Sequence, residues 1–315
     1  MQKRIIVVGN GMVGYKFCEK LRSRSADAEI IVYGEEPRPA YDRVHLSSFF
    51  SGSTADDLLM APASWYEENS IQLHTGELVT EINRIDKTIR THTGRSDRYD
   101  YLVLATGSSA FVPAMEGVER DGVFVYRTIE DLVQITAYAK KVKRGAVMGG
   151  GLLGLEAAKA LLGLGLETHV VEFAPRLMPR QIDDAGSDIL AHKLAQLGIT
   201  IHTGKSTKKI DGNGKLEGLL FADDTKLDIE MLVISAGIRP RDELAKATLL
   251  NVHPRGGIVV DNYMRTSDEY IFAIGEAAVH GNIVYGLVAP GYDMAEIVAR
   301  QITGDTSKQF TGFDM

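Results

Sequence analysis

Residues 149–156 read Gly-Gly-Gly-Leu-Leu-Gly-Leu-Glu and lie between two apolar segments. The segment before them, residues 146–148, is typical of a buried strand, and the segment after them, residues 155–164, is typical of an apolar helix. Gly149 would permit a tight turn, Gly151 a close approach of phosphate to the backbone, and Gly154 close packing of helix on strand. The spacing therefore predicts a strand, turn and helix whose N-terminus faces the pyrophosphate of a dinucleotide.

A carboxylate stands where such a unit would hold a ribose. Residues 168–171 predict a second strand that ends at Glu172. A carboxylate at this position can accept both ribose hydroxyls of NAD, whereas it would repel a 2′-phosphate. The glycine spacing alone is a weak signal that an ordinary loop could also give. Strand, glycines, helix, second strand and terminal Glu172 together favour an NAD site over that alternative.

The N-terminal residues 5–35 repeat the pattern. An apolar strand leads into Gly9, Gly11 and Gly14, a helix is predicted over residues 12–24, and a second strand over residues 29–33. Either Glu35 or Glu36 could hold a ribose, and we favour Glu35. Two such units in one chain predict two bound dinucleotides.

Later strands indicate how the two units are joined. Residues 100–107 predict a buried strand that ends in Ala105-Thr106-Gly107, small residues that would let the chain pass closely over a cofactor, and residues 231–237 repeat this ending. Residues 258–261 and 271–276 are strands that need a sheet to join, so the chain should return to its first domain. We predict an α/β fold of two three-layer, Rossmann-like domains, the second inserted into the first: residues 1–110 with 240–315, and residues 111–239.

The remaining segments predict smaller elements. We expect a surface helix region at residues 54–70 with Trp65 and Tyr66 as packing anchors, short antiparallel strands over residues 71–101, and a hairpin turn at residues 211–214. Further helices are expected near residues 182–197 and 290–302. In the proline-marked loop at residues 37–48, Arg43 could bind a phosphate or simply face solvent, and His45 is equally undecided.

The composition excludes several classes of function. The net charge of −7 argues against a nucleic-acid surface, and no apolar run approaches the ~20 residues that cross a bilayer. The chain enters its first strand almost at once, which leaves no room for a signal peptide and predicts a cytoplasmic location. Cys18 is the single cysteine, so an intrachain disulfide and a redox-active cysteine pair are both excluded, and we expect a buried, unreactive thiol.

The two glycine units, the 105–107 ending and residues 274–276 together resemble the flavoprotein family of pyridine nucleotide oxidoreductases, over residues 3–304. The resemblance implies FAD in the first unit and NADH in the second, and it places Glu276 where the family usually has Asp. It implies these FAD contacts: Gly9, Gly11, Met12, Gly14, Glu35, Arg43, Ser48, Val79, Ala105, Thr106, Gly107, Arg127, Gly275, Glu276 and Ala289. For NAD it implies Gly149, Gly151, Leu152, Leu153, Gly154, Glu172 and Gly237.

Longer strings at residues 40–48, 125–132, 144–147, 237–241 and 284–292 are similar to the large subunits of NADH-dependent assimilatory nitrite reductases. This resemblance implies a module that passes electrons from NADH through FAD to an iron–sulfur and sirohaem centre, where nitrite becomes ammonia. It also implies that the natural protein continues past residue 315. The alternatives are a free-standing ferredoxin or rubredoxin reductase, whose acceptor is a small iron–sulfur protein, and a flavin-bound redox sensor that acts by binding a partner.

One side chain is a candidate for the chemistry itself. Glu156, one turn into the central helix, is expected closest to the nicotinamide, although it could also be a solvent-facing helix residue. Related ferredoxin reductases carry a lysine where this chain has Ser48, so the expected partner of Glu156 is missing. Backbone N–H groups near Ala289 and Gly291 could stabilise the negative charge of a reduced flavin. The absence of a cysteine pair excludes a thiol mechanism.

Overall fold

The computed structural model describes residues 2–313, which form two compact units. The first unit comprises residues 2–42, 59–109 and 239–313, and the second comprises residues 43–58 and 110–238. Residues 43–58, which the boundaries given above place in the first domain, belong to the second unit, because their 3₁₀ helix Leu46–Ser51 packs on two helices there. The chain passes between the units in two short strands, β8 (Ser108–Ala110) and β17 (Ile238–Pro240).

The first unit is built on a five-stranded parallel sheet. Its strand order is β19-β7-β1-β2-β3, and nearly every residue of the three central strands is buried, as expected for a sheet covered on both faces. The strands are β1 (Arg4–Val8), β2 (Glu29–Gly34), β3 (Ile71–Thr75), β7 (Tyr101–Leu104) and β19 (Ile271–Ala273).

The edge strand β3 corrects one expectation. Residues 72–74 were expected in an antiparallel pair, but β3 pairs in parallel with β2, with Leu73 opposite Val32. The alternation of polar and apolar residues that suggested a hairpin results from the exposed edge position. The antiparallel sheet follows it and consists of β4 (Val79–Asn83), β5 (Thr88–Thr91) and β6 (Ser96–Arg98).

Two helices cover the first sheet and pack on each other, α1 (Met12–Arg24) and α7 (Val288–Ile302). The final helix starts two residues before the predicted one, and Pro290 lies in its first turn, where the missing N–H is harmless. The predicted helix at residues 54–70 is shorter, with Tyr66 fully buried. The other elements are α2 (Ala63–Glu68), α6 (Glu243–Ala247), β18 (Ile258–Val259), β20 (Ala278–Val279) and a 3₁₀ turn at Gly275–Ala277.

The second unit contains a parallel sheet of the same order, β12-β11-β10-β16-β9. A three-stranded antiparallel sheet again lies in the chain just before a strand that pairs with the first strand of the glycine unit, here β16. Its first two strands form the predicted hairpin. The parallel strands are β9 (Val123–Val125), β10 (Arg144–Met148), β11 (Glu167–Val171), β12 (Ile199–His202) and β16 (Met231–Ile234), and the antiparallel ones are β13 (Thr207–Asp211), β14 (Gly218–Phe221) and β15 (Lys226–Asp228).

The helices of the second unit differ in how they begin. Thr128 and Asp131 form a reciprocal capping box at the start of α3 (Ile129–Ala139), and Asp183 caps α5 (Asp184–Gln196) through the Gly186 N–H at 2.8 Å. The helix after the glycine loop, α4 (Leu152–Gly163), has no such cap from any described side chain. The two units thus share the strand, glycine loop, helix and strand that the sequence predicts, but the edge strand β9 comes first in its unit whereas β19 comes last. No helix within residues 2–313 has the length and apolarity to cross a membrane.

Candidate functional site

The glycine loop of the first unit is built by close backbone contacts. A Cβ on Gly9 would lie 2.2 Å from the carbonyl oxygen of Ala105, and one on Gly14 would lie 2.2 Å from that of Gly9. Gly9 also has a φ of +109°, which other residues rarely adopt. A Cβ on Gly11, in contrast, would meet no described atom within 4 Å. The loop is packed on its inner side and open at Gly11.

The second unit repeats this arrangement atom for atom. A Cβ on Gly149 would lie 2.2 Å from the Ser235 carbonyl oxygen, and one on Gly154 would lie 2.0 Å from that of Gly149. Gly149 has a φ of +122°. Gly151 matches Gly11, since its Cβ would meet no atom within 4 Å in the described part of the chain. Each loop therefore leaves one glycine open to a ligand, as the pyrophosphate of a dinucleotide requires.

The helices after both loops leave their N-terminal N–H groups free for a ligand. Gly11 and Gly151 are the cap residues of α1 and α4, and a glycine has no side chain that could cap the first turn. Neither first turn contains an acidic residue. Because four N–H groups at a helix start lack partners inside the helix, an uncapped start next to an open glycine suits a phosphate.

Glu172 is held against the second glycine loop. Its Oε2 accepts a hydrogen bond of 2.5 Å from the Gly150 N–H, and its Oε1 accepts one of 2.7 Å from the Ala174 N–H. The carboxylate ends β11, next to the central strand β10. These bonds fix the carboxylate in place and leave lone pairs on both oxygens for a further donor.

The corresponding residues of the first unit are arranged differently. Glu35 forms an ion pair with Arg241, and Glu36 accepts a hydrogen bond of 2.6 Å from the Tyr41 hydroxyl. About half of the Glu35 side chain is exposed, so a ribose could still reach it. Arg241 could not be predicted as the partner of Glu35 from the sequence, because only the fold brings residue 241 next to the end of β2.

The small residues after β7 lie where they were expected. Ala105 packs against Gly9, and the Thr106 hydroxyl donates a hydrogen bond of 2.7 Å to the Arg241 carbonyl. Gly107 adopts a φ of +65° and accepts from the Arg241 N–H at 2.9 Å. These contacts anchor the crossing segment close to the first glycine loop.

The C-terminal part of the first unit brings Gly275, Glu276 and α7 to α1. A Cβ on Gly291 would lie 2.6 Å from Cγ2 of Val13, and one on Gly275 would lie 3.3 Å from the same atom. Glu276 accepts a hydrogen bond of 2.7 Å from the Ser108 hydroxyl. Ala289, in the first turn of α7, is exposed, and within residues 2–313 no side chain caps this helix either. The N-terminus of α7 therefore has free N–H groups.

The remaining predicted residues divide between the units. Met12 is partly exposed and Val79 is buried at the start of β4, both in the first unit. Leu152 and Leu153 are exposed apolar side chains beside the second glycine loop, and Gly237 accepts from the Phe111 N–H at 2.8 Å. Arg43 and Arg127, both predicted for FAD, meet in the second unit, where an Arg43 Nη1–H donates to the Arg127 carbonyl at 2.8 Å. Ser48 lies in the 3₁₀ helix of the same unit.

Glu156 lies in α4, a helix that packs on the 3₁₀ helix Leu46–Ser51. The side chain is half-buried, and the loss of water raises its pKa. Tyr126, directly after β9, is buried and stacks on Phe50 with ring centroids 6.1 Å apart. Burial is the largest cause that raises the pKa of Tyr126, and the charge of Glu156 adds to it, while a hydrogen bond with the Ser47 side chain lowers it. Tyr126 was not among the predicted site residues, because its neighbour Phe50 lies far from it in the chain.

Cys18 behaves as predicted. It is fully buried in α1, and burial raises the pKa of its thiol to about 12. Within residues 2–313 no group of three or more His, Cys, Asp or Glu side chains is arranged to hold a metal ion.

Two glycine loops of the same geometry, each at the start of an uncapped helix on a parallel sheet, define a protein with two dinucleotide-binding units. The chain belongs to the pyridine nucleotide-disulphide oxidoreductase family, whose model matches residues 3–296. Membership of this family makes FAD and NAD(H) its cofactors, as the resemblance predicted, and the predicted fold class is confirmed.

The chain is also similar to particular members of the family. It is 48% identical to the nitrite reductase (NADH) large subunit of Escherichia coli K12, over 99% of this chain and 37% of that protein. It is 36% identical to the assimilatory nitrate reductase electron transfer subunit of Bacillus subtilis 168, over 99% of this chain and 40% of that one. The narrower resemblance is thus confirmed, and the chain spans well under half the length of these relatives.

Among solved structures, a ferredoxin reductase from Rhodopseudomonas palustris superposes with a TM-score of 0.93 at 27% identity. The match covers 99% of this chain and 79% of that one.

Proposed function

We propose that this chain takes electrons from NADH and passes them through FAD to an electron acceptor. The observation that carries the proposal is the pair of glycine loops, each packed on its inner side and open at Gly11 or Gly151 beside free helix N–H groups. When bound, FAD supplies the chemistry of accepting a hydride equivalent and releasing electrons singly. The protein's part is to bind and orient both dinucleotides.

For FAD we propose the first unit. Gly9, Gly11 and Gly14 shape the loop for its pyrophosphate, with Met12 at the helix start, and Glu35 accepts from its ribose. The crossing segment at residues 105–107 and Gly275 would let the backbone come close to FAD. Glu276 would accept a hydrogen bond from the ribityl chain. The Ala289 N–H at the uncapped start of α7 faces negative charge on the flavin ring. Of the remaining contacts that the resemblance implies for FAD, Val79 lies in this unit, at the start of β4.

For NADH we propose the second unit. Gly149, Gly151 and Gly154 shape the loop for the pyrophosphate, and Glu172 accepts from the adenosine ribose. The exposed Leu152 and Leu153 cover the dinucleotide with apolar surface, and Gly237 lies at the end of the next strand. Glu156 would then lie on the nicotinamide side of the loop, where its carboxylate can accept a hydrogen bond from the amide N–H of the nicotinamide.

The acceptor we propose is the iron–sulfur and sirohaem centre of a longer nitrite reductase, which turns nitrite into ammonia. Support comes from the 48% identity to a nitrite reductase (NADH) large subunit of which this chain spans 37%. The second candidate is a ferredoxin-type acceptor, which the likeness to a solved ferredoxin reductase favours. We propose no partner beyond the protein or domain that carries one of these iron–sulfur centres. The cytoplasm stays the predicted compartment, since a single cysteine gives no disulfide framework.

The test is reduction of the flavin-loaded chain by NADH without oxygen. We expect the visible flavin absorbance to be lost within seconds at about one NADH per flavin, and the reduced protein to pass electrons to a one-electron acceptor such as ferricyanide. Reduction too slow for turnover would instead indicate a redox sensor. Reoxidation by added ferredoxin as fast as by ferricyanide would favour the ferredoxin-type candidate.

A further inference from the structure

The amide of Asn10, the second residue of the first glycine loop, has a hydrogen-bond partner for only one of its two polar atoms. Its Oδ1 accepts a hydrogen bond of 3.0 Å from the Tyr66 hydroxyl. Its Nδ2 is buried and donates to no atom within residues 2–313. An unpaired buried N–H costs free energy, and nearly all such groups in native proteins have a partner. We therefore expect a bound molecule to supply the acceptor.

Tyr66 fixes the direction in which this amide points. The tyrosine side chain is 1% exposed, and its ring packs edge-on against Trp65 with ring centroids 5.1 Å apart. Burial raises the pKa of the Tyr66 hydroxyl, and a hydrogen bond from the Ala40 backbone N–H opposes this effect. Since that N–H already donates to the hydroxyl, the single hydroxyl proton is available to Asn10, and only Oδ1 of the amide can accept it. The Nδ2 atom therefore lies on the side of the amide that faces away from the hydroxyl.

The two units fill the same space beside their glycine loops, but from different segments. By strand register, Gly34 at the end of β2 corresponds to Glu172 after β11. Asn10 corresponds to Gly150, since each is the second residue of its loop. A Cβ on Gly34 would lie 3.0 Å from Cβ of Asn10, and one on Gly150 would lie 3.1 Å from Cβ of Glu172. Each unit thus has room for one side chain here, which the strand supplies in the second unit and the loop supplies in the first.

This correspondence indicates which part of a dinucleotide the Asn10 amide would face. Glu172 is the carboxylate proposed for the adenosine ribose of NADH, so Asn10 lies on the ribose side of the first loop. Glu35, proposed to accept from the ribose of FAD, directly follows Gly34. A carboxylate can only accept hydrogen bonds from ribose hydroxyls, whereas an amide N–H can donate to their oxygens. The first unit therefore presents both an acceptor and a donor at this end of the loop.

We propose that Asn10 is a binding residue for FAD, whose unpaired amide N–H donates a hydrogen bond to a ribose oxygen in the adenosine half of the cofactor. The inference rests on the proposed function for the assignment of FAD to this loop, and it adds a side chain to a loop whose other contacts come from glycine backbone. Tyr66 is a positioning residue, because it contacts Asn10 through the hydroxyl and acts on the cofactor only through the amide. Bound FAD then satisfies the one polar atom of Asn10 that the protein leaves unpaired.

The test is the affinity of the flavin-free protein for FAD, measured by equilibrium titration. Asn10→Ala removes the donor, and we expect the Kd for FAD to rise by roughly 5- to 30-fold. Asn10→Asp keeps the shape and the acceptor for Tyr66 but has no N–H, so it should lose at least as much. An unchanged Kd in Asn10→Ala, as when water alone is the partner of the amide, would overturn the proposal. So would full affinity in Asn10→Asp.

Tyr66→Phe separates binding by Asn10 from a purely structural role. It removes the same internal hydrogen bond as Asn10→Ala but keeps the donor, so the Kd for FAD should rise only about 2- to 5-fold, and not at all in an Asn10→Ala background. The flavin-free forms of both single variants should unfold within about 2 °C of each other. The matched control is Tyr15→Phe, a buried tyrosine of the same aromatic cluster, with ring centroids 6.3 Å from Tyr66, and it should leave the Kd unchanged.

Two results would contradict the role of the free donor: a loss of FAD affinity in Tyr66→Phe as large as in Asn10→Ala, or a much lower unfolding temperature in Asn10→Ala alone. The wild-type titration separates this inference from the proposed function. If the wild-type protein bound no FAD, the proposed function would fail and this inference with it. If the wild-type protein bound FAD and Asn10→Ala bound it equally well, the inference alone would fail.

Discussion

Glu172 and Gly150 are joined by a hydrogen bond of 2.5 Å, from the backbone N–H of the glycine loop to Oε2 of the carboxylate. A second hydrogen bond, from the Ala174 N–H to Oε1, also fixes the position of the Glu172 carboxylate. The carboxylate proposed to bind the adenosine ribose is therefore part of the same rigid loop as the glycines proposed to bind the pyrophosphate. We therefore expect the ribose and the pyrophosphate to be bound by a single preorganised site.

We predict that this site prefers NADH and that Glu172→Arg narrows or reverses the preference. A fixed carboxylate accepts from both ribose hydroxyls but repels a 2′-phosphate, whereas an arginine attracts it. The ratio of kcat/KM for NADH to that for NADPH should fall by about 100-fold or more. Glu167→Gln, at the exposed start of the same strand, is the control and should leave the ratio unchanged. Equal use of NADPH by the wild-type protein would show that the ribose assignment is wrong.

Two glycines of the second loop, Gly154 and Gly151, should have different effects when each is replaced by alanine. Gly154→Ala places a Cβ 2.0 Å from the Gly149 carbonyl oxygen, a backbone atom that cannot move away without distorting β10. We expect it to lower the free energy of unfolding by about 1–3 kcal/mol, measured by urea denaturation.

Gly151→Ala is the matched change, because the added methyl meets open space in the described structure. The free energy of unfolding should change by less than about 1 kcal/mol, while NAD⁺ binding weakens measurably, since the methyl occupies the path of the pyrophosphate. Equal stability losses in the two variants would contradict this division between packing and binding.

The contact of α1 with α7 gives a prediction about packing. Gly291→Ala places a Cβ 2.6 Å from Cγ2 of Val13, so it should lower the thermal unfolding midpoint of the chain. Val13→Ala removes the clashing methyl and should restore part of the loss in the double variant. Additive losses would show that the two residues do not share this contact.

Cys18 gives a prediction about pH. Its folded-state pKa of about 12 is above the usual value, so the folded protein retains the thiol proton where the unfolded chain releases it. The contribution of this group to stability is full below about pH 8.5 and is lost as the pH rises above that value. At pH 8 we expect a thiol reagent such as DTNB to label Cys18 only as fast as the protein opens. Rapid labelling of the folded protein would contradict the burial.

The sequence predicted the repeated part of this fold well, because glycine spacing and apolar strands are local signals. Both loops, α1 and the return of β19 to the first sheet follow from such patterns. It predicted poorly what depends on distant segments. The parallel pairing of β3 was missed because an edge strand alternates like a hairpin strand.

The same limit applies to the candidate sites. Glu172 could be predicted because it ends the strand after its own glycine loop. The ion pair of Glu35 with Arg241 and the stack of Tyr126 on Phe50 could not, because each joins segments far apart in the chain.

The central claim is that each glycine loop binds its own dinucleotide, and Gly11→Asp and Gly151→Asp test it most directly. Aspartate is a favoured helix cap and meets no described atom within 4 Å at either Cβ, so both variants should fold, yet its charge opposes a phosphate. The measurement is the FAD content of each purified variant together with its ADP-ribose affinity. We predict that Gly11→Asp loses FAD but binds ADP-ribose, and that Gly151→Asp keeps FAD but loses ADP-ribose. If both folded variants lost both ligands, or neither, the assignment of one dinucleotide to each loop would be contradicted.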